Sequence, residues 1–190
     1  VVHYGGATAE MDEISKLCAA KNIVLIEDCA ETIGGYYDGK PTGSFGIGCF
    51  SFFPTKNLTT GEGGMLTSND KNFHEKAKQL SAHGLITSTF EREDLKLKPW
   101  ERIAVQPGHN YRLSNILAAM GVVQFDKLDK MNSTRRRLAE YYDSKLCEIS
   151  EVTTERRSSH VTYTHQMYTV TVDPQHRDDL VMFMRENHIE

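Results

Sequence analysis

The stretch Asn22-Ile-Val-Leu-Ile-Glu-Asp28 limits the fold more than any other. Ile23 to Ile26 is a continuous apolar run with no polar alternation. Such a run fits a parallel strand covered on both faces, and so argues for a sheet flanked by helices. It ends in two acids, Glu27 and Asp28. Ligands of open α/β sheets bind outside the carboxyl ends of their strands. Adjacent strand residues point to opposite faces, so only one of the two acids can face a given site. A capping role after the strand is the alternative for either.

A second short strand, Phe50-Ser-Phe-Phe53, is stopped by Pro54, and Lys56 follows between Thr55 and Asn57. Near apolar walls a lysine is poorly hydrated as ammonium, and the neutral amine is the form that attacks carbonyls. A solvated loop lysine is the competing reading. Ser51 precedes Lys56, and Thr59 and Thr60 follow it. Hydroxyls beside glycine-flanked amides suit a phosphate. Gly61-Glu-Gly-Gly64 lacks the Gly-Lys-Ser/Thr ending of a nucleotide loop and reads as a tight turn between two strands.

Taken together these segments resemble the DegT/StrS-type pyridoxal-phosphate-dependent sugar aminotransferases, of the aspartate-aminotransferase-like fold group. The matching residues are Glu27-Asp-Cys-Ala-Glu-Thr-Ile-Gly34, Gly39-Lys-Pro-Thr-Gly-Ser-Phe-Gly46, Phe50-Ser-Phe-Phe-Pro-Thr-Lys-Asn-Leu-Thr-Thr-Gly-Glu-Gly-Gly64 and Gly108-His-Asn-Tyr-Arg-Leu-Ser-Asn115. The resemblance implies that Lys56 forms a Schiff base with pyridoxal 5'-phosphate and that Asp28 pairs with the pyridinium nitrogen. It implies that Ser51 binds the phosphate, and that Asn110 reaches the phosphate of a neighbouring subunit's cofactor in a homodimer with shared sites. A carboxylate about 4 Å from a pyridinium gains roughly 4 kcal/mol at an effective dielectric of 20, which keeps the ring protonated as an electron sink. Glu31, three residues after Asp28, stands where many members carry Gln or His. It is expected to line the cofactor site, though a carboxylate beside the cofactor's phenolic oxygen is repulsive unless protonated.

The implied fold is α/β. Residues 1–127 are expected to be the C-terminal portion of a large cofactor-binding domain, with a mostly parallel sheet flanked by helices. Residues 128–190 are expected to be a linking helix and the start of a small α+β domain. The chain is expected to be a fragment of a longer protein, because the family's first phosphate loop and ring-stacking aromatic are not found in it. The implied reaction moves an amino group, from glutamate, to a keto group of a nucleotide-linked sugar. A sugar dehydratase is an alternative, weakened because related dehydratases replace the lysine with His. A non-catalytic regulatory or scaffold role of the same fold is another.

Composition sets the remaining bounds. Across 190 residues, 39% are hydrophobic and 25% charged, the balance of an ordinary globular chain. The formal net charge of −4 offers no argument for a nucleic-acid partner. Cys18, Cys29, Cys49 and Cys147 show no metal-ligand spacing and read as reduced thiols, which points to the cytoplasm. No apolar run approaches a membrane span.

Further along, Thr8 is expected to cap a helix over 8–21, Asp70 one ending at His83-Gly84, and Ser114 an apolar helix that is core or dimer interface. Gly34 to Gly39 carries a hairpin signature. Residues 85–109 form an irregular stretch in which Arg92, Lys96, Lys98 and Arg102 could meet a diphosphate. A long helix is expected over 128–149, its Arg135-Arg-Arg137 solvated, then strands over 152–155 and 163–172 and a helix over 175–188.

Overall fold

Only the last residue of the apolar run, Ile26, enters a strand, and that strand's neighbour in space is the one that leads into the aromatic segment. In the computed structural model, which describes residues 1–86, 98, 100 and 102–189, β1 is Ile26–Asp28 and lies parallel to β4, Ile47–Ser51. The register pairs Ile26 with Ile47, Glu27 with Gly48 and Asp28 with Cys49. Val2 forms a parallel bridge to Asp28 on the far side of β1. β5, Gly64–Thr67, runs antiparallel on the other flank of β4. The glycine-rich segment ahead of β5 is therefore part of the return from β4, as its composition suggests. Ile23 and Val24 precede β1 and are 57% and 72% exposed, so the run is not covered on both faces as its composition suggests.

Two of the three expected helix caps form. α1 spans Met11–Lys21 and turns into the left-handed region at Asn22. Thr8 is not its cap: the Thr8 hydroxyl is buried against that of Thr42, and the helix starts after Glu10. α2 is Lys71–Ser81, with the Asp70 carboxylate accepting from the Asn72 and Phe73 amides. α3 is Asn115–Phe125, with the Ser114 hydroxyl accepting from the Leu117 amide.

α4 is Leu128–Leu146, and its buried residues are Leu128, Asn132 and Ala139 rather than the larger apolar side chains. α5 is Pro174–Glu186, capped by Asp173. The buried core is built from Phe52, Leu58 and Leu128, with Ile33 and Phe50 packed against them.

β2, Tyr36–Tyr37, and β3, Lys40–Pro41, form the expected hairpin around Asp38-Gly39. Both turn residues have positive φ, 46° and 76°, which is the conformation that an Asp-Gly pair favours. The other side of β2 pairs with β7, Val161–Thr162, so the end of the chain returns to its beginning. β6, Thr153–Thr154, pairs with β8, Val170–Thr171.

The long strand expected over 163–172 is thus divided. His165 takes φ +45°, which breaks an extended run. The backbone there bonds elsewhere: the Thr164 and Met167 amides donate to the carbonyls of Gly6 and Gly5. Arg135 and Arg136 are not simply solvated, since they donate to the carbonyls of His165 and Tyr163.

Candidate active site at the strand ends

Parallel pairing puts the carboxyl ends of β1 and β4 at one edge of the sheet, and Asp28 and Ser51 are the last residues of those strands. The alternation along β1 separates the two acids. Glu27 is wholly buried and fully used. Its Oε1 accepts from the Phe45 and Gly46 amides, and its Oε2 from the Gly43 amide and His3 Nε2 at 3.2 Å. His3 Nδ1 accepts from the Ala9 amide, so the ring proton is on Nε2. Burial alone would raise the Glu27 carboxyl, but the His3 hydrogen bond and three backbone amides hold it below the usual range.

Cys29 lies close to both, and the three could in principle surround a cation. Both imidazole nitrogens and both carboxylate oxygens are already hydrogen-bonded, however. Burial, then the Glu27 charge, pushes the Cys29 thiol up to about 12. This cluster is structural. Asp28 is the acid left exposed, with Oδ1 accepting from the Ala30 amide at 3.1 Å.

The loops beyond the two strands bring the amine to the same edge. After β4 the chain turns so that the Lys56 amide donates to the Phe53 carbonyl. Lys56 Nζ then lies 3.3 Å from Glu31 Oε1, with the two side chains 16% and 19% exposed. Glu31 Oε2 accepts from the Gly5 amide at 2.7 Å. The lysine is therefore beside a carboxylate, where the preceding Phe50–Phe53 segment suggests apolar walls. Their attraction is on the order of 5 kcal/mol at an effective dielectric of about 20, offset in large part by desolvation of two ions.

A buried polar network fixes the backbone beneath this pair. Asn57 Nδ2 donates to Asn132 Oδ1 at 2.9 Å and to the Thr164 carbonyl at 2.8 Å. Asn132 Nδ2 donates to the Ile33 carbonyl, and the Thr164 hydroxyl to the Glu31 carbonyl. Lys56, Asn57, Asn132, Thr164 and Glu31 thus belong to one connected set. Asn57 could have been noticed from its place beside Lys56. Asn132 and Thr164 carry no local signal, being far along the chain from the residues they hold.

The other expected residues make local contacts. The Ser51 hydroxyl accepts from the Phe53 amide at 3.3 Å. Asn110 bridges to Ala82 at the end of α2, and its Oδ1 accepts from Arg112 Nε. Its side-chain and bridge contacts are thus with Arg112 and Ala82. Lys98 and Arg102 are exposed. Arg92 and Lys96 lie outside the described residues. A cavity of about 790 Å³, lined by Phe50, Phe52, Leu58, Leu113, Val122 and Leu128 among others, includes none of Asp28, Glu31, Ser51, Lys56 or Asn110. Among the described residues no helix is long and apolar enough to cross a membrane.

Comparison with known proteins matches the whole chain. The model of the DegT/DnrJ/EryC1/StrS aminotransferase family covers residues 1–190. GDP-perosamine synthase of Vibrio cholerae is 33% identical over 193 residues, covering 100% of this chain and 49% of the relative. A UDP-4-amino-4,6-dideoxy-N-acetyl-beta-L-altrosamine transaminase of Campylobacter jejuni subsp. jejuni is 34% identical, covering 92% of this chain and 44% of the relative. The crystal structure of the aminotransferase TlmJ from Streptoalloteichus hindustanus superposes with a TM-score of 0.89 at 28% identity, covering 98% of this chain and 49% of that one. The chain spans about half the length of the curated relatives it matches.

Proposed function

Because the chain belongs to the DegT/DnrJ/EryC1/StrS aminotransferase family, whose cofactor is pyridoxal 5'-phosphate, we propose that its protein aminates a keto group of a nucleoside-diphosphate-linked sugar with glutamate as donor. The observation that carries this reading is the Lys56–Glu31 pair in the loops that follow β4 and β1, strands whose last residues are Ser51 and Asp28. The chemistry of the donor set fits the cofactor. Asp28 offers a carboxylate for a ring nitrogen, Ser51 a hydroxyl for a phosphate, and Lys56 an amine for an aldehyde. Asn110 would serve the phosphate of a second subunit's cofactor. The division at residue 127 into a large and a small domain is part of the same proposal.

When bound, the cofactor supplies an aldehyde that condenses with amines and a ring that takes up an electron pair. Asp28 would keep a proton on the ring nitrogen, which that role requires. Ser51 orients the phosphate. Lys56 Nζ would hold the cofactor's aldehyde carbon and, as a free amine, would move the proton at the carbon being aminated or deaminated. Retention of Lys56 favours amination over dehydration. The exposed apolar side chains of α3, Ile116, Met120 and Val123 among them, support a second copy as partner.

The test is to supply GDP- and UDP-linked 4-keto-6-deoxy sugars with glutamate and the cofactor. The expected result is equal formation of amino sugar and 2-oxoglutarate. A dehydrated sugar with no 2-oxoglutarate, or cofactor binding with no turnover of any keto sugar, would overturn the reading.

A further inference from the structure

The Lys56–Glu31 pair has a chemical consequence that the family relationship does not supply. Lys56 as ammonium cannot attack a carbonyl; a proton must leave Nζ first. Glu31 Oε1, at 3.3 Å, is the acceptor the structure places on that nitrogen. The carboxylate is itself held at two points. The Gly5 amide donates to Oε2 at 2.7 Å, and the Thr164 hydroxyl donates to the Glu31 carbonyl at 2.9 Å. Gly5 reaches Oε2 from a backbone with φ +66°, a conformation that glycine adopts without strain. Oε2 is thus engaged, and Oε1 faces the amine.

We propose that Glu31 is a further catalytic residue, the proton acceptor and donor for Lys56 when that lysine bonds to an aldehyde. Glu31 Oε1 takes one proton from the Lys56 ammonium. The freed Nζ electron pair forms the nitrogen–carbon bond, the carbonyl electrons move to oxygen, and a second Nζ proton passes to that oxygen. Glu31 then returns its proton to the oxygen, which leaves as water. Nitrogen keeps one proton and the positive charge, Glu31 ends as the carboxylate it began as, and nothing is oxidised or reduced. The proposal rests on the reading of Lys56 as the cofactor lysine.

The experiment measures the rate at which pyridoxal 5'-phosphate becomes covalently attached, by stopped-flow absorbance near about 420 nm, with borohydride trapping and peptide mapping. The proteins are wild type, Glu31→Gln and Glu31→Ala, each first shown by circular dichroism to be folded. Glu31→Gln is expected to slow attachment roughly a hundredfold, the usual scale of a lost acid–base group. Added acetate is expected to restore part of the rate in Glu31→Ala. Unchanged rates in both variants would overturn the proposal and leave Lys56 as the attachment point. A slowing that acetate does not relieve would also overturn it, since it marks a carboxylate needed only for position. Wild-type protein that attaches the cofactor at another residue, or not at all, would remove the underlying reading of Lys56.

Discussion

Glu27 and Asp28 are neighbours in sequence with opposite employment. Glu27 accepts from three backbone amides and His3, and its carboxyl is held below the ordinary range. A depressed folded-state value means that the stabilisation is fully present above the unfolded carboxyl's value and is lost as pH falls through the folded one. Glu27→Gln is expected to cost about 3 kcal/mol near neutral pH and to flatten the acid limb of a urea-denaturation series. His160 has the opposite sign. Its hydrogen bond to Asp38 Oδ1 at 2.7 Å, and then the Asp38 charge, raise it. That contribution is present below the unfolded imidazole's value and is lost as pH rises through the folded one. An NMR titration is expected to find His160 titrating above the ordinary range, and Asp38→Asn to bring it down. That the two acids end a strand and face opposite ways is legible, because strand alternation fixes it from residue order alone. The direct Lys56–Glu31 ion pair is not legible, because the residues beside Lys56, Thr55 and Asn57, say nothing about a carboxylate twenty-five positions upstream.

Elements with local punctuation were legible in the same way. Asp70 and Ser114 cap α2 and α3, and Asp38-Gly39 turns the β2–β3 hairpin. These signals work through backbone groups a few residues away, so no knowledge of the fold is needed to use them. Asp70→Ala removes the acceptor for two amides and is expected to lower stability by about 1 kcal/mol in thermal melts. Where the deciding partner is distant, periodicity misled. The run 163–172 alternates like one strand, yet its middle bonds to the Tyr4–Gly6 turn. On α4 the buried line runs through Asn132 rather than through Leu138 and Tyr142, because Asn132 has buried partners waiting in Asn57 and Ile33.

Across the whole molecule, that polar network joins the ends of the chain to the site. Residues 5, 31, 57, 132 and 164 come from segments widely separated in sequence and meet beneath Lys56. Asn132→Ala would leave the buried Asn57 amide and Ile33 carbonyl short of a partner each. It is expected to cost about 2 to 3 kcal/mol in urea unfolding and to loosen cofactor attachment along with stability. The most direct check on the account is where the cofactor bonds. Wild-type protein with pyridoxal 5'-phosphate, reduced by borohydride and digested, is expected to yield one modified peptide carrying the label on Lys56. The Lys56→Ala protein should have neither the label nor the absorbance. Label on any other lysine, or an unchanged spectrum in Lys56→Ala, would contradict it.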